Sequence, residues 1–208
     1  MAYESQIGTY HLGENPQLYS PQRANNYEFV VTDIDGILRP GAATGDTNAV
    51  FRNAQEVLRV SVSSAFVPHF SQNPVEIKRG NSTIKFAGVP SFDGGDIEFH
   101  DFIGANTKEI LMAWQNLSYN VYTEKVGSLD VPAQNYKKDA FLIEYTPDYR
   151  KVRQWRLYGC WISDLSEDGY DNYNGEAKKV KCTIQYDYAT LDQNGSYIKF
   201  KYKISRLF

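Results

Sequence analysis

The chain has 208 residues, with 22 basic against 25 acidic side chains and a formal charge of −3. That length suits one large domain, or a domain with arms, and it can bury a full core without staples. The charge argues against a sequence-independent nucleic-acid binder, which carries a basic excess. Aromatic residues make up 14 %, led by 16 Tyr and 11 Phe, and both favour strands. No apolar run reaches the ~18 residues of a membrane span. Met1 to Ser20 lacks an apolar signal-peptide core, so the chain is expected to stay in the cell that makes it unless lysis or a dedicated machine releases it.

Residues 1–26 are rich in Gln, Asn, Pro, Tyr and Gly without periodicity, and Pro16 and Pro21 break any helix. This predicts an extended N-terminal arm. The first strand signal is Tyr27 to Asp33. Ile34 to Gln55 follows as a long irregular inter-strand loop, and loops of this length are usually functional or disordered. Its apolar members Ile37, Leu38, Val50 and Phe51 suggest docking on a partner, with folding back over the chain's own core as the plainer reading. Val57 to Phe66 reads as a strand ended by Pro68. Leu58, Val60, Val62 and Phe66 share one face, and Arg59, Ser61, Ser63 and Ala65 the other.

Val75 to Lys78 and Thr83 to Phe86 flank Arg79-Gly80-Asn81-Ser82, a hairpin signal. Gly94-Gly95 opens a strand from Asp96 to Phe102. One helix is predicted over 105–118. Asn106 or Thr107 can cap it, Glu109 sits in its first turn, and Ile110, Leu111, Trp114 and Leu117 form one apolar stripe. Strands are predicted over Phe141 to Thr146 and Gln154 to Leu165, then an acidic turn region to Glu176. Val180, Cys182, Ile184, Tyr186 and Tyr188 alternate with polar residues in a further strand. Gln193-Asn194-Gly195-Ser196 turns into a last strand, Tyr197 to Ile204, with Lys199, Lys201 and Lys203 on one face. The fold expected is mainly β: an antiparallel sandwich or barrel over 27–191 with one flanking helix and an added C-terminal strand over 192–208.

Chemistry is sparse. His11, His69 and His100 sit in no HExxH pattern and beside no nucleophile motif. Asp33-Ile34-Asp35-Gly36 lacks the remaining acids of a calcium loop, and a strand end followed by a turn explains it. Cys160 and Cys182 lack metal spacing and read as buried free thiols, with an inter-subunit disulfide as the alternative. Neither catalysis nor a cofactor or metal is expected. The aromatic surplus fits a stacking surface for sugars or bases, or a protein–protein interface.

The order of segments resembles the tail tube protein of contractile-tailed phages, similar in fold to the type VI secretion tube protein. The resemblance runs from Tyr27 to Tyr188. It rests on the early strand with its long loop, Leu58 to Pro68, the unit Asp96-Ile97-Glu98-Phe99-His100-Asp101 followed by Asn106 to Leu117 with Trp114, the entry Tyr136-Lys137-Lys138-Asp139, Leu157-Tyr158-Gly159-Cys160-Trp161-Ile162, and the close Tyr186-Asp187-Tyr188. Ile162 stands where the family commonly has Pro. The resemblance implies a non-enzymatic structural protein of the virion tail, assembled in the host cytoplasm. Hexameric rings would stack into the inner tube through which DNA passes during ejection.

Its implied partners are further copies of itself, the sheath, and tape-measure and baseplate proteins, with no membrane. Ile37, Leu38, Arg39, Val50, Phe51 and Arg52 are then candidate subunit contacts, and Ser61 and Ser63 candidate lumen residues, beside an awkward Arg59. A conduit should not hold DNA, so a basic wall is disfavoured and the lysine-rich C-terminal face should point away. Residues 195–208 carry four bases and no acid, which leaves −7 on the rest. Two alternatives stay open: a tube initiator, baseplate or tail-completion protein of the same fold, and a carbohydrate-binding β-sandwich.

Overall fold

The computed structural model describes residues 22–40, 50–121, 123–127, 129, 135–169 and 175–192. Its first strand, β1 (Tyr27–Val31), carries Phe29, Val30 and Val31, all buried. In chain order there follow α1 (Ala54–Ser61), β2 (Val62–Ser64), β3 (Phe70–Gln72), β4 (Val75–Arg79), β5 (Ser82–Phe86), β6 (Pro90–Phe92) and β7 (Gly95–His100). Next come α2 (Thr107–Ser118), β8 (Tyr119–Asn120), β9 (Lys125–Val126), β10 (Lys138–Tyr145), β11 (Lys151–Glu167), β12 (Lys179–Gln185) and β13 (Tyr188–Asp192).

The main sheet is antiparallel throughout and runs β1-β10-β11-β12-β7-β2, with β13 also on β11. It curls into a half-barrel. The curl is built where β11 changes partners. Up to Cys160 this 17-residue strand pairs with β10 and β13, and from Trp161 it pairs with β12. Gly159 stands at the junction with a φ of +66°, and a Cβ there would run into the Asp187 carboxylate. Opposite it, the chain breaks between β12 and β13, and the Asp187 amide donates to the Tyr158 carbonyl at 2.9 Å. Glycine at such a corner supplies the left-handed backbone that other residues resist.

Both helices pack on this sheet and on each other, α1 against β1 and α2 against β11. Between helices and sheet lies one core, with Phe29, Leu58, Ile97, Phe99, Leu111 and Trp114 at its centre. Each large apolar side chain buried there contributes about 1.5–3 kcal/mol. Trp114 also places its one polar atom, since Nε1 donates to the Tyr136 carbonyl at 2.9 Å. Cys160 and Cys182 are free thiols inside this core. Burial pushes both thiols up, Cys182 to about 12 and Cys160 further.

Several expectations change. Among the described residues two helices, not one, flank the sheet. Residues 54–61 are the second, where a strand over Val57 to Phe66 was expected. Ala54, Leu58 and Ser61 are buried together at helical spacing, whereas Val60 is 62 % exposed. Alternation at Leu58, Val60 and Val62 mimics a strand; the small residues Ala54 and Ser61 define the face that actually packs. The α2 cap also differs. Asn106 holds the capping position at φ +57° but makes no side-chain cap bond. Thr107 is instead buried, and its hydroxyl meets that of Ser61 at 3.1 Å, joining the two helices. The strand expected through Tyr188 is broken at Tyr186. The segment Ile34 to Gln55 is closed by a short ladder, with Leu38 bridged to Val50 and the Phe51 amide donating to the Ile37 carbonyl at 3.0 Å. The arm over residues 1–21 and the last strand from residue 193, with Lys199, Lys201 and Lys203, lie outside the described residues.

Candidate assembly surfaces

The expected loop contacts divide by burial. Ile37 and Phe51 are sealed in the chain's own core at 2 % and 6 % exposure, so neither side chain is available for docking, which corrects that expectation. Leu38 and Val50 are half-buried, and Arg39 and Arg52 lie at the surface. The Arg39 guanidinium sits over the Phe51 ring, 5.1 Å from its centroid. Arg39, Val50, Phe51 and Arg52 line a pocket of about 210 Å³ shared with Ala105 and Ile110.

Ser61 is corrected as a lumen residue. It is fully buried between the helices, and its hydroxyl donates to the Val57 carbonyl at 2.6 Å. Ser63 is half-buried at the open side of the half-barrel, where its carbonyl accepts from the Tyr27 hydroxyl at 2.9 Å. Here β1 and β2 each lack a neighbour on their outer side among the described residues. Unpaired edges offer backbone donors and acceptors to another strand.

A polar face runs over β7 and β12, opposite the core. Lys181 pairs with Asp96 at 2.7 Å, and Lys179 with Glu98 at 3.2 Å. The Thr183 hydroxyl donates to Asp96 at 2.7 Å. Hydrogen bonds from Lys181 and Thr183 hold the Asp96 carboxyl below its usual range. Such a ladder neutralises its own charges. In the sequence, only the alternation of Val180 to Tyr188 with polar residues marked one strand of this face.

An exposed apolar surface among the described residues is the hairpin β4–β5. Its register sets Val75 opposite Phe86 and Ile77 opposite Ile84 on one face, with Glu76 paired to Lys85 on the other. Arg79 opposite Ser82 leaves a two-residue loop, and Gly80 at its first position takes φ +63°, as a type II′ turn needs. All ten strand residues are exposed. The four apolar side chains show between 38 % and 53 % of their surface. The hairpin's base is anchored by stacking of Phe66 on Tyr186 and by the edge contact of Phe92 with Tyr186. The hairpin was legible from its turn residues, but nothing in the sequence marked its apolar face as uncovered.

Among the described residues no cluster of three metal-ligating side chains occurs, and no helix is long and apolar enough to cross a membrane. No family model and no curated protein matches the chain. Solved structures do match in fold. The cap that terminates the tube of the anti-feeding prophage aligns with a TM-score of 0.54 at 14 % identity, over 84 % of this chain and 93 % of that one. The sheath/tube terminator of an extracellular contractile injection system aligns at 0.55 and 14 % identity, over 84 % and 99 %. A chain of the sheath–tube complex of that system aligns at 0.53 and 15 % identity, over 93 % and 100 %. The half-barrel with two helices is therefore a tail-tube-type fold, shared with tube and tube-terminator proteins of contractile systems.

Proposed function

We propose that the chain is a non-catalytic structural subunit of a contractile tail or injection device, assembling with copies of itself into rings that stack as the inner tube. The observation that carries this reading is the alignment over 93 % of this chain with the whole of a chain from a sheath–tube complex. The open edges of β1 and β2 add a physical reason to assemble, because edges left unpaired invite aggregation and are normally covered. In the ring reading they pair with neighbouring copies. Arg39, Arg52, Leu38 and Val50 then serve as loop contacts between subunits. The self-neutralised face of β7 and β12, with Ser63 at its margin, serves as the conduit wall past which DNA slides in a phage tail. Sheath, tape-measure and baseplate proteins complete the partner set.

A second reading, that the chain ends a tube rather than extends it, is favoured by two of the matches being tube terminators or caps. Negative-stain microscopy of the purified chain separates the readings. Long tubes are expected for the main tube subunit, single closed rings for a terminator. A protein that stays monomeric at high concentration and binds glycans would overturn both.

A further inference from the structure

We infer that the β4–β5 hairpin is the head of a head-to-tail contact, docking its Val75, Ile77, Ile84 and Phe86 face on the opposite pole of another copy, around Phe102 and Ile103. This rests on the assembly reading and names the surfaces that would join successive layers. The two poles follow from the register. The hairpin leaves the sheet at Phe66 and Gly95, next to Ile184, and β7 then runs to His100, opposite Lys179. Six residues at ~3.3 Å per residue put the poles about 20 Å apart across the sheet. Phe102 and Ile103 lie just past His100, and Ile103 is wholly exposed. The molecule therefore carries an apolar head at one end and an apolar seat at the other.

Charge matches the same way. Residues 75–86 hold three bases and one acid, +2. The seat holds five acids and two bases across 101–109, 167–169 and 175–178, −3. There Glu167 bridges Lys108 and Lys178 at 2.6 and 2.8 Å, which binds the three segments into one surface. Asp101 is tied to the same surface by its amide, which donates to the Lys178 carbonyl at 3.0 Å. The +2 on each hairpin opposes hairpin-on-hairpin pairing between two copies. A contact between two different surfaces of one molecule closes into a ring only if its rotation closes and otherwise generates an open stack, and surfaces at opposite ends of the sheet favour the stack.

The test mixes two full-length single variants, Ile77→Cys and Ile103→Cys, under mild oxidation. The native thiols are buried and stay silent. A disulfide-linked pair is expected in the mixture and from neither variant alone. Lys78→Glu with Arg79→Glu should abolish the cross-link, and adding Glu109→Lys with Asp168→Lys should restore it. Tubes on the grid without this cross-link would overturn the contact and leave the tube reading standing. The cross-link without tubes would support the contact and remove the tube reading. Cross-linking of Ile77→Cys with itself would overturn the head-to-tail arrangement, since it indicates paired hairpins.

Discussion

The strands β7 and β4–β5 use the same residue types for opposite ends. Ile97 and Phe99 of β7 are fully buried, while Ile77 and Phe86 of the hairpin are about half exposed. Both regions alternate apolar and polar side chains with period two. Alternation therefore identifies a strand with one apolar face, and it says nothing about what covers that face. Under β7 the cover is the helix pair. Over the hairpin none of the described elements supplies one, and the contact inferred above assigns that cover to another copy.

Substitution should expose this difference most strongly. Phe99→Ala is expected to cost about 3–5 kcal/mol in chemical denaturation, because it opens a cavity in the core. Phe86→Ala should stay within about 0.5 kcal/mol, as for surface changes generally, while impairing assembly on the grid. Equal losses at both sites would mean the hairpin is packed in solution and would break the comparison. The loop repeats the contrast within two residues. Phe51→Asp should unfold the chain at room temperature or lower its melting point sharply, whereas Arg52→Asp should leave melting unchanged.

Gly95 marks the boundary between the regions. A Cβ there would meet the Phe66 ring, which anchors the hairpin on Tyr186. Gly95→Ala should cost roughly 1–3 kcal/mol, the range for overpacking, and should free the hairpin base. Loss of the stacking contact between Phe66 and Tyr186, read by aromatic NMR shifts, would check it.

The buried thiols give a smaller, pH-dependent effect. Folding raises the pKa of Cys182 from 9.0 to about 12, so the folded state keeps this thiol neutral. Stability from that burial is complete below the unfolded value and falls as pH rises through 9 towards 12. Alkylation at pH 8.5 should accordingly spare both cysteines in the folded protein and label both in denaturant. At the opposite pole the sign reverses. Hydrogen bonds from Lys108 and Lys178 hold the Glu167 carboxyl below its usual range. Its contribution is present above the ordinary carboxylate value and is lost as pH falls through the depressed one. Glu167→Gln should flatten the acid limb of the melting curve by less than about 1 kcal/mol, as expected for a surface pair.

Much of this was legible from residues alone. The apolar stripe Ile110, Leu111, Trp114 and Leu117 located α2, Gly80 with Asn81 located the hairpin turn, and the order of segments located the tail-tube-type fold. Each is a local signal, because helix stripes, turns and strand alternation are written within a few residues. What the sequence could not decide is which apolar residue faces which layer. Val60 and Leu58 look alike in the chain, yet helix geometry buries one and exposes the other. Ser61 looks like a surface residue, yet its hydroxyl satisfies Thr107 between two helices. Phe51 looks like a docking residue, yet the ladder to Ile37 folds it inward. Sequence thus determined the kinds of element and their order, through short-range periodicity. Tertiary structure alone decided which faces pack in the core and which stay exposed, because burial depends on elements distant in the chain meeting in space.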